Sequence, residues 1–120
     1  MNVNLKLKVK KVKIVEKPWG REIWIAQEEE YAGKILEIKK GFKTSLHYHN
    51  VKKETMYILE GEVEILVEKG EKITLKEGQS ITLEPKDKHR IIAKSDVKIF
   101  EVSTPQLNDV VRIMDEYGRK

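Results

Sequence analysis

The sequence contains no cysteine. That excludes thiol nucleophiles, CxxC redox sites, iron–sulfur clusters and cysteine-ligated zinc, and it gives no sign of an oxidising compartment. No stretch approaches the ~20 consecutive apolar residues that a membrane-spanning helix needs. Met1 to Val15 is rich in lysine but lacks a continuous apolar block, so no secretory signal is expected, and the expected compartment is the cytoplasm. An excess of either charge is also small, with 24 basic and 20 acidic residues giving a net +4. The signs interleave, as in Lys52-Lys53-Glu54 and Glu68-Lys69-Gly70-Glu71-Lys72. This pattern reads as a solvated surface, and no nucleic-acid or membrane partner is expected. The charged fraction, 37% and mostly Lys and Glu, resembles that of a thermophile's surface. A chain of 120 residues is expected to form one domain over 1–120, large enough to bury a core without a disulfide or metal staple.

Long helical periodicity is missing as well. Short β-type segments recur instead, at 3–15, 22–26, 33–39, 44–49, 55–60, 62–68, 72–76, 79–84, 89–94 and 96–103. Hairpin signals separate several of them: Lys40-Gly41, Glu60-Gly61, Lys69-Gly70 and Glu77-Gly78. This spacing predicts an all-β sandwich or barrel and argues against a parallel α/β sheet. The first segment alternates strictly, with Val3, Leu5, Leu7 and Val9 on one face and Asn4, Lys6, Lys8 and Lys10 on the other. Its apolar face must lie on its own barrel or cross to a partner's sheet. The tail, 104–120, reads as an extension. Leu107, Val110, Val111 and Met114 fall at i, i+3, i+4 and i+7, which predicts a short helix there.

The three histidines are the most informative residues. His47 and His49 are two apart on a predicted strand, so their side chains share a face. Asn50-Val51-Lys52-Lys53 reads as a turn, after which Glu54 opens the next strand and can point back inward. His89 follows the Pro85-Lys86-Asp87-Lys88 turn far downstream. Three imidazoles and a carboxylate suit a divalent transition metal and leave coordination positions for substrate oxygens.

The spacing resembles the cupin family. Gly41, His47-Tyr48-His49, Glu54 and Gly61 match the first cupin motif, G-x5-H-x-H-x(3,4)-E-x6-G. Gly78 and His89 match the spacing of the second, although Glu84, Lys86 and Ala93 replace its Pro, Gly and Asn. The resemblance implies a single-domain cupin jelly roll with a short C-terminal extension. It also implies one divalent metal (Zn, Mn, Fe, Ni or Co) held by His47, His49, Glu54 and His89.

A closer resemblance spans nearly the whole chain after the first predicted strand. Lys17-Pro18-Trp19-Gly20-Arg21-Glu22 is similar to the opening of type II mannose-6-phosphate isomerase domains, and Ser45-Leu46-His47-Tyr48-His49 with Glu54 to their central run. Asp109-Val110-Val111-Arg112 through Asp115, Tyr117, Gly118 and Arg119 is similar to their terminal signature. His47 stands where that subfamily commonly has Gln. Many such domains are fused to a guanylyltransferase, and nucleotidyl transfer is not expected here because no Gly-rich nucleotide loop occurs.

The resemblance implies aldose–ketose isomerisation of a phosphorylated hexose through an enediolate. With no fourth histidine, the proton-transfer group would be a carboxylate, a lysine, a tyrosine or a hydroxide on the metal, and Glu101 and Tyr57 are the named candidates. Arg90, Lys52, Lys53 and Arg112 are candidates for the phosphate, and Arg112, within the tail signature, is a candidate catalytic residue too. Lys52 and Lys53 read as ordinary surface charge ahead of that role. Trp19 is expected to pack on the barrel ahead of stacking on a sugar, Tyr48 to face away from the histidines, and Asp115 and Tyr117 to position the tail. Two other classes share the same metal ligands: an Fe-dependent dioxygenase and a non-catalytic sugar-binding cupin. A homodimer is expected, with the 1–15 strand near its interface.

Overall fold

Strict alternation along the chain builds two facing layers of antiparallel strands. The structure, a computed structural model, describes residues 7–116. Its strands are β1 (Lys13–Lys17), β2 (Gly20–Gln27), β3 (Ala32–Ile38), β4 (Leu46–Tyr48), β5 (Glu54–Glu60), β6 (Glu62–Leu66), β7 (Lys72–Lys76), β8 (Ser80–Leu83), β9 (Arg90–Ala93), β10 (Val97–Ser103) and β11 (Val111–Met114). A single 3-10 turn at Glu68–Gly70 is the sole helical element among the described residues. No helix there is long and apolar enough to cross a membrane.

One layer is a six-stranded sheet in the order β1-β2-β3-β10-β5-β8. The other combines β7-β6-β9 with the pair β11-β4, joined through bridges between Lys43 and Ile92 and between His47 and His89. The fold is thus the expected all-β jelly roll. Leu36 and Ile38 on β3, Met56 and Ile58 on β5, and Ile99 on β10 point into the space between the layers and meet Ile65 from β6. Each such side chain contributes roughly 1.5–3 kcal/mol of burial. The hairpin β5–β6 turns at Gly61 with φ of +88°, and a Cβ there would lie 2.5 Å from the Asp96 carbonyl oxygen, so only glycine fits.

Two expectations need correction. The predicted first strand, 3–15, is in fact β1 at Lys13–Lys17; residues 7–12 form no strand, and 1–6 lie outside the described residues. Its pairing with β2 stops at Lys13 opposite Trp24, where β2 also shifts register against β3 between Trp24 and Ala26. Such a bulge re-aims a strand and ends a ladder. Leu7 and Val9 are consequently 71% and 101% exposed. The predicted tail helix is instead β11, paired antiparallel with β4. The β-branched Val110-Val111 pair favours that extended state, and an open edge of β4 supplies the partner.

Candidate metal centre

The open end of the roll gathers the three histidines. His47 lies on β4, His49 one residue beyond its end, and His89 immediately before β9. The backbones of His47 and His89 exchange hydrogen bonds of 3.0 and 2.9 Å, which locks the two positions across the layer. Ring centroids stand 4.4 Å apart for His47 and His89, 5.1 Å for His47 and His49, and 5.4 Å for His49 and His89. One ligand nitrogen from each lies within 4.8 Å of the others, so the three can hold a metal ion.

Each ring is oriented from behind. His47 Nδ1 faces the Ser45 carbonyl at 2.9 Å, His89 Nδ1 faces the Asp87 carbonyl at 2.9 Å, and His49 Nδ1 faces the Asp109 carbonyl. A carbonyl oxygen only accepts, so each Nδ1 carries a proton, which leaves Nε2 of each ring as the atom able to serve as a ligand. Burial, together with the neighbouring His89 and His49, pushes the His47 pKa down to about 3, which keeps that ring neutral as a ligand must be. Glu54, the first residue of β5, places Oε1 3.1 Å from His49 Nε2 and 3.3 Å from His89 Nε2. In the neutral form of each ring, Nε2 turns a lone pair toward this carboxylate. Such a set is satisfied by a shared cation, and its chemistry fits a divalent metal.

A cavity of about 260 Å³ opens above this point. Its walls include Trp19, Trp24, Lys34, Lys52, Glu101 and Arg112. Alternating charges run along one wall. Glu22 accepts from Trp24 Nε1 at 2.8 Å and from Lys34 at 3.1 Å; Lys34 lies 4.0 Å from Glu101; Lys52 bridges Glu101 at 2.9 Å and Glu54 at 3.2 Å. Burial pushes the Glu22 carboxyl up, but Lys34 and the Trp24 hydrogen bond outweigh it and hold it below the usual range. Burial raises the Glu54 carboxyl, and the Lys52 ammonium, 3.2 Å away, pulls it down. Glu101 goes the other way. Burial and the Glu54 charge raise it to about 7 against the pull of Lys34 and Lys52. Burial lowers the Lys52 pKa, and Glu101 and Glu54 more than restore it, so it stays a cation.

The structure brings together most of the residues singled out from the sequence. His47, His49, Glu54, His89, Glu101, Lys52 and Arg112 all line the cavity. Lys52 is 2% exposed by side chain, so the reading of it as surface charge is corrected, whereas Lys53 is on the surface beside Glu84. Tyr57 is corrected as a proton-transfer candidate. Glu54, Met56 and Ile58 point inward along β5, so Tyr57 faces out, 42% exposed and away from the cavity. Arg90 is corrected as a phosphate ligand, because its guanidinium is spent on Thr44 and on the tail. Nε donates to the Thr44 carbonyl at 2.9 Å, Nη2 to the Met114 carbonyl at 3.1 Å, and Nη1 lies 3.4 Å from Glu116. Trp19 is buried in the core and also borders the cavity. Tyr48 faces away, with Lys86 Nζ 5.8 Å above its ring. Tyr117 lies outside the described residues. The sequence reading missed Glu22, Trp24, Lys34 and Asn108. Glu22 and Lys34 stand at buried positions of β2 and β3, and a charge in such a register was the available signal.

The cupin domain family matches residues 34–103. A comparison with curated proteins gives no match. Among solved structures, KdgF from a Halomonas species is similar, with a TM-score of 0.73 and 19% identity over 81% of this chain and 89% of that one. An RmlC-like cupin from Shewanella frigidimarina gives a TM-score of 0.73 and 20% identity over 82% and 88%. Pac13 of Streptomyces, a nucleoside dehydratase, gives 0.77 and 12% over 91% and 93%. At these identities the likeness is one of fold. The family match spans more than half of the chain and contains all three histidines and Glu54, and on that ground the chain belongs to the cupin family.

Proposed function

We propose that this cupin is a metal-dependent isomerase that interconverts an aldose phosphate and a ketose phosphate. The substrate indicated by the motif resemblance is mannose 6-phosphate. The observation that carries the reading is the convergence of three Nε2 lone pairs and the Glu54 carboxylate at the floor of a cavity whose wall holds a second buried carboxylate, Glu101. A bound divalent ion would supply Lewis-acid stabilisation to substrate oxygens that gain negative charge. Glu101 then takes the carbon-bound proton and returns it to the neighbouring carbon. Lys52, between Glu101 and Glu54, fixes both carboxylates. Four cations on the walls, Lys17, Lys34, Lys52 and Arg112, face the three carboxylates Glu22, Glu54 and Glu101. With a divalent ion added the cavity is cationic, which suits a phosphorylated substrate. Its size, below the roughly 300–1,000 Å³ of sites for drug-sized ligands, suits a small one.

A coupled assay of metal-loaded protein with mannose 6-phosphate tests this. Turnover that disappears in Glu101→Gln is expected. Oxygen uptake with Fe(II) and no isomerisation would assign the dioxygenase class instead, and saturable sugar-phosphate binding without turnover would assign the binding class.

We also propose a homodimer, formed through the outer face of the six-stranded sheet. Ile14, Ile23, Ile35, Phe100 and Tyr57 are paired in register across five adjacent strands and form one apolar row on that face. Beside it, Glu16, Arg21, Glu37, Lys98 and Glu60 form a parallel row of alternating sign. About a two-fold axis that falls between two of these strands, the apolar row meets its own copy and charges of opposite sign come to face each other, as an isologous contact allows. The N-terminal strand lies at the edge of this face rather than at its centre. Light scattering should give twice the 14.0 kDa of the chain, and Tyr57→Lys should shift the mass toward the monomer. A monomer at micromolar concentration for the parent chain would refute the contact.

A further inference from the structure

The tail segment after β10 lies outside the span that the cupin family matches, yet it touches the centre at several points. Thr104 begins it, accepting the Lys53 N–H on Oγ1 at 3.0 Å and donating its own N–H to the Lys53 carbonyl at 3.0 Å. Val111 and Arg112 pair with Tyr48 and His47 on β4. Arg90 and Lys43 hold its far end through Met114 and Glu116. Between these anchors sits Asp109, whose side chain and backbone act on two different parts of the centre.

The carboxylate of Asp109 accepts three consecutive backbone N–H groups. Asn50 donates to Oδ1 at 3.0 Å; Val51 and Lys52 donate to Oδ2 at 2.7 and 3.0 Å. Successive N–H groups aimed at one point form an anion-binding nest, and here the anion is supplied by the chain itself. That loop joins His49 to Glu54 and carries Lys52, so its shape sets the separation of two of the four acceptors. The Asp109 carbonyl, in turn, accepts from His49 Nδ1, which fixes the ring's tautomer and the direction of its Nε2.

We infer that Asp109 is a positioning residue for the metal centre, and that docking of the tail and binding of the ion are linked through it. The inference rests on the reading of the three histidines and Glu54 as a metal centre. With the carboxylate in its nest, the 50–52 loop and His49 are both held from one residue. When the carboxylate is lost, three amides lose their acceptor together, and the carbonyl that orients His49 is no longer held in place. By thermodynamic linkage, an ion that favours the oriented His49 must also favour the docked tail.

The experiment is titration of the metal-free full chain with Co(II), followed by its d–d absorption, for the parent, Asp109→Ala, Asp109→Asn and Glu116→Ala. Thermal unfolding without metal is recorded for each. Asp109→Ala is expected to weaken Co(II) binding by about 10–100-fold, the range for loss of an outer partner of a ligand, and to alter the absorption bands. Asp109→Asn keeps one acceptor oxygen and should fall between the two; it carries the test if the alanine variant does not fold. Glu116→Ala loosens only the far end of the tail and should bind as the parent does. Amide exchange without metal should show loss of protection at Asn50, Val51 and Lys52 in Asp109→Ala. Parental Co(II) affinity and spectrum in both folded Asp109 variants would overturn the inference while leaving the metal centre intact. Equal weakening by Glu116→Ala would overturn it too, because the effect would belong to the tail in general. A parent chain that binds no Co(II) would refute the metal centre itself, and the inference with it.

Discussion

His89→Ala is expected to leave a folded protein that has lost its metal. His89 is 1% exposed, and its imidazole supplies one of three nitrogens that lie within 4.8 Å of one another. The variant removes that nitrogen and also the 3.3 Å contact with Glu54 Oε1. Loss of an outer hydrogen-bond partner of a ligand costs about 10–100-fold in affinity, and loss of the ligand itself should cost more. The fold should survive, because His89 is tied to His47 by backbone hydrogen bonds that need no side chain. Elemental analysis after desalting is the measurement. The parent should retain close to a full equivalent and the variant a small fraction, with unchanged circular dichroism. Retention of a full equivalent by His89→Ala would place the ion elsewhere, or show that Glu54 and the other two rings suffice.

Lys52→Met should be the most destabilising single change at the site. Its ammonium lies 2.9 Å from Glu101 and 3.2 Å from Glu54 and is as buried as either. Methionine fills a similar volume but leaves two carboxylates facing each other without the charge between them. Removal of one partner from a buried ion pair typically costs about 3–5 kcal/mol. In a domain of this size that corresponds to a fall in Tm of roughly 10–20 °C. Adding Glu101→Gln to Lys52→Met should recover part of the loss, because one of the stranded carboxylates becomes neutral. The two effects should therefore be strongly non-additive, as expected for groups in contact. A melting curve for Lys52→Met that overlays the parent would mean that the two carboxylates do not depend on it.

The metal ligands were legible in the sequence because each obeys a local rule. The i, i+2 spacing on a strand places His47 and His49 on one face, and a turn of fixed length returns Glu54 to them. The same rule, followed one step further, would have removed Tyr57. It lies three residues beyond an inward Glu54 and so points outward. Glu22, Lys34 and Glu101 share their strand faces with Trp24, Leu36 and Ile99, a charged residue on a core face in every case. What sequence alone could not supply was pairing at a distance. Leu107, Val110, Val111 and Met114 have helical spacing, and only the presence of β4 beside them makes 111–114 a strand. Arg90 follows a ligand directly, but its partners, Thr44 before β4 and Met114 and Glu116 in the tail, are all distant in the chain, and nothing near it points to them.

The cavity has two origins. Its floor comes from residues within 34–103, while Trp19, Glu22 and Trp24 before that span and Leu107, Asn108, Val110 and Arg112 after it form much of the upper wall. A lineage can therefore exchange what this vessel accepts by altering its two ends, and leave the cradle beneath unaltered. Grafting these flanks onto a relative's barrel is the corresponding route to moving substrate preference between cupins.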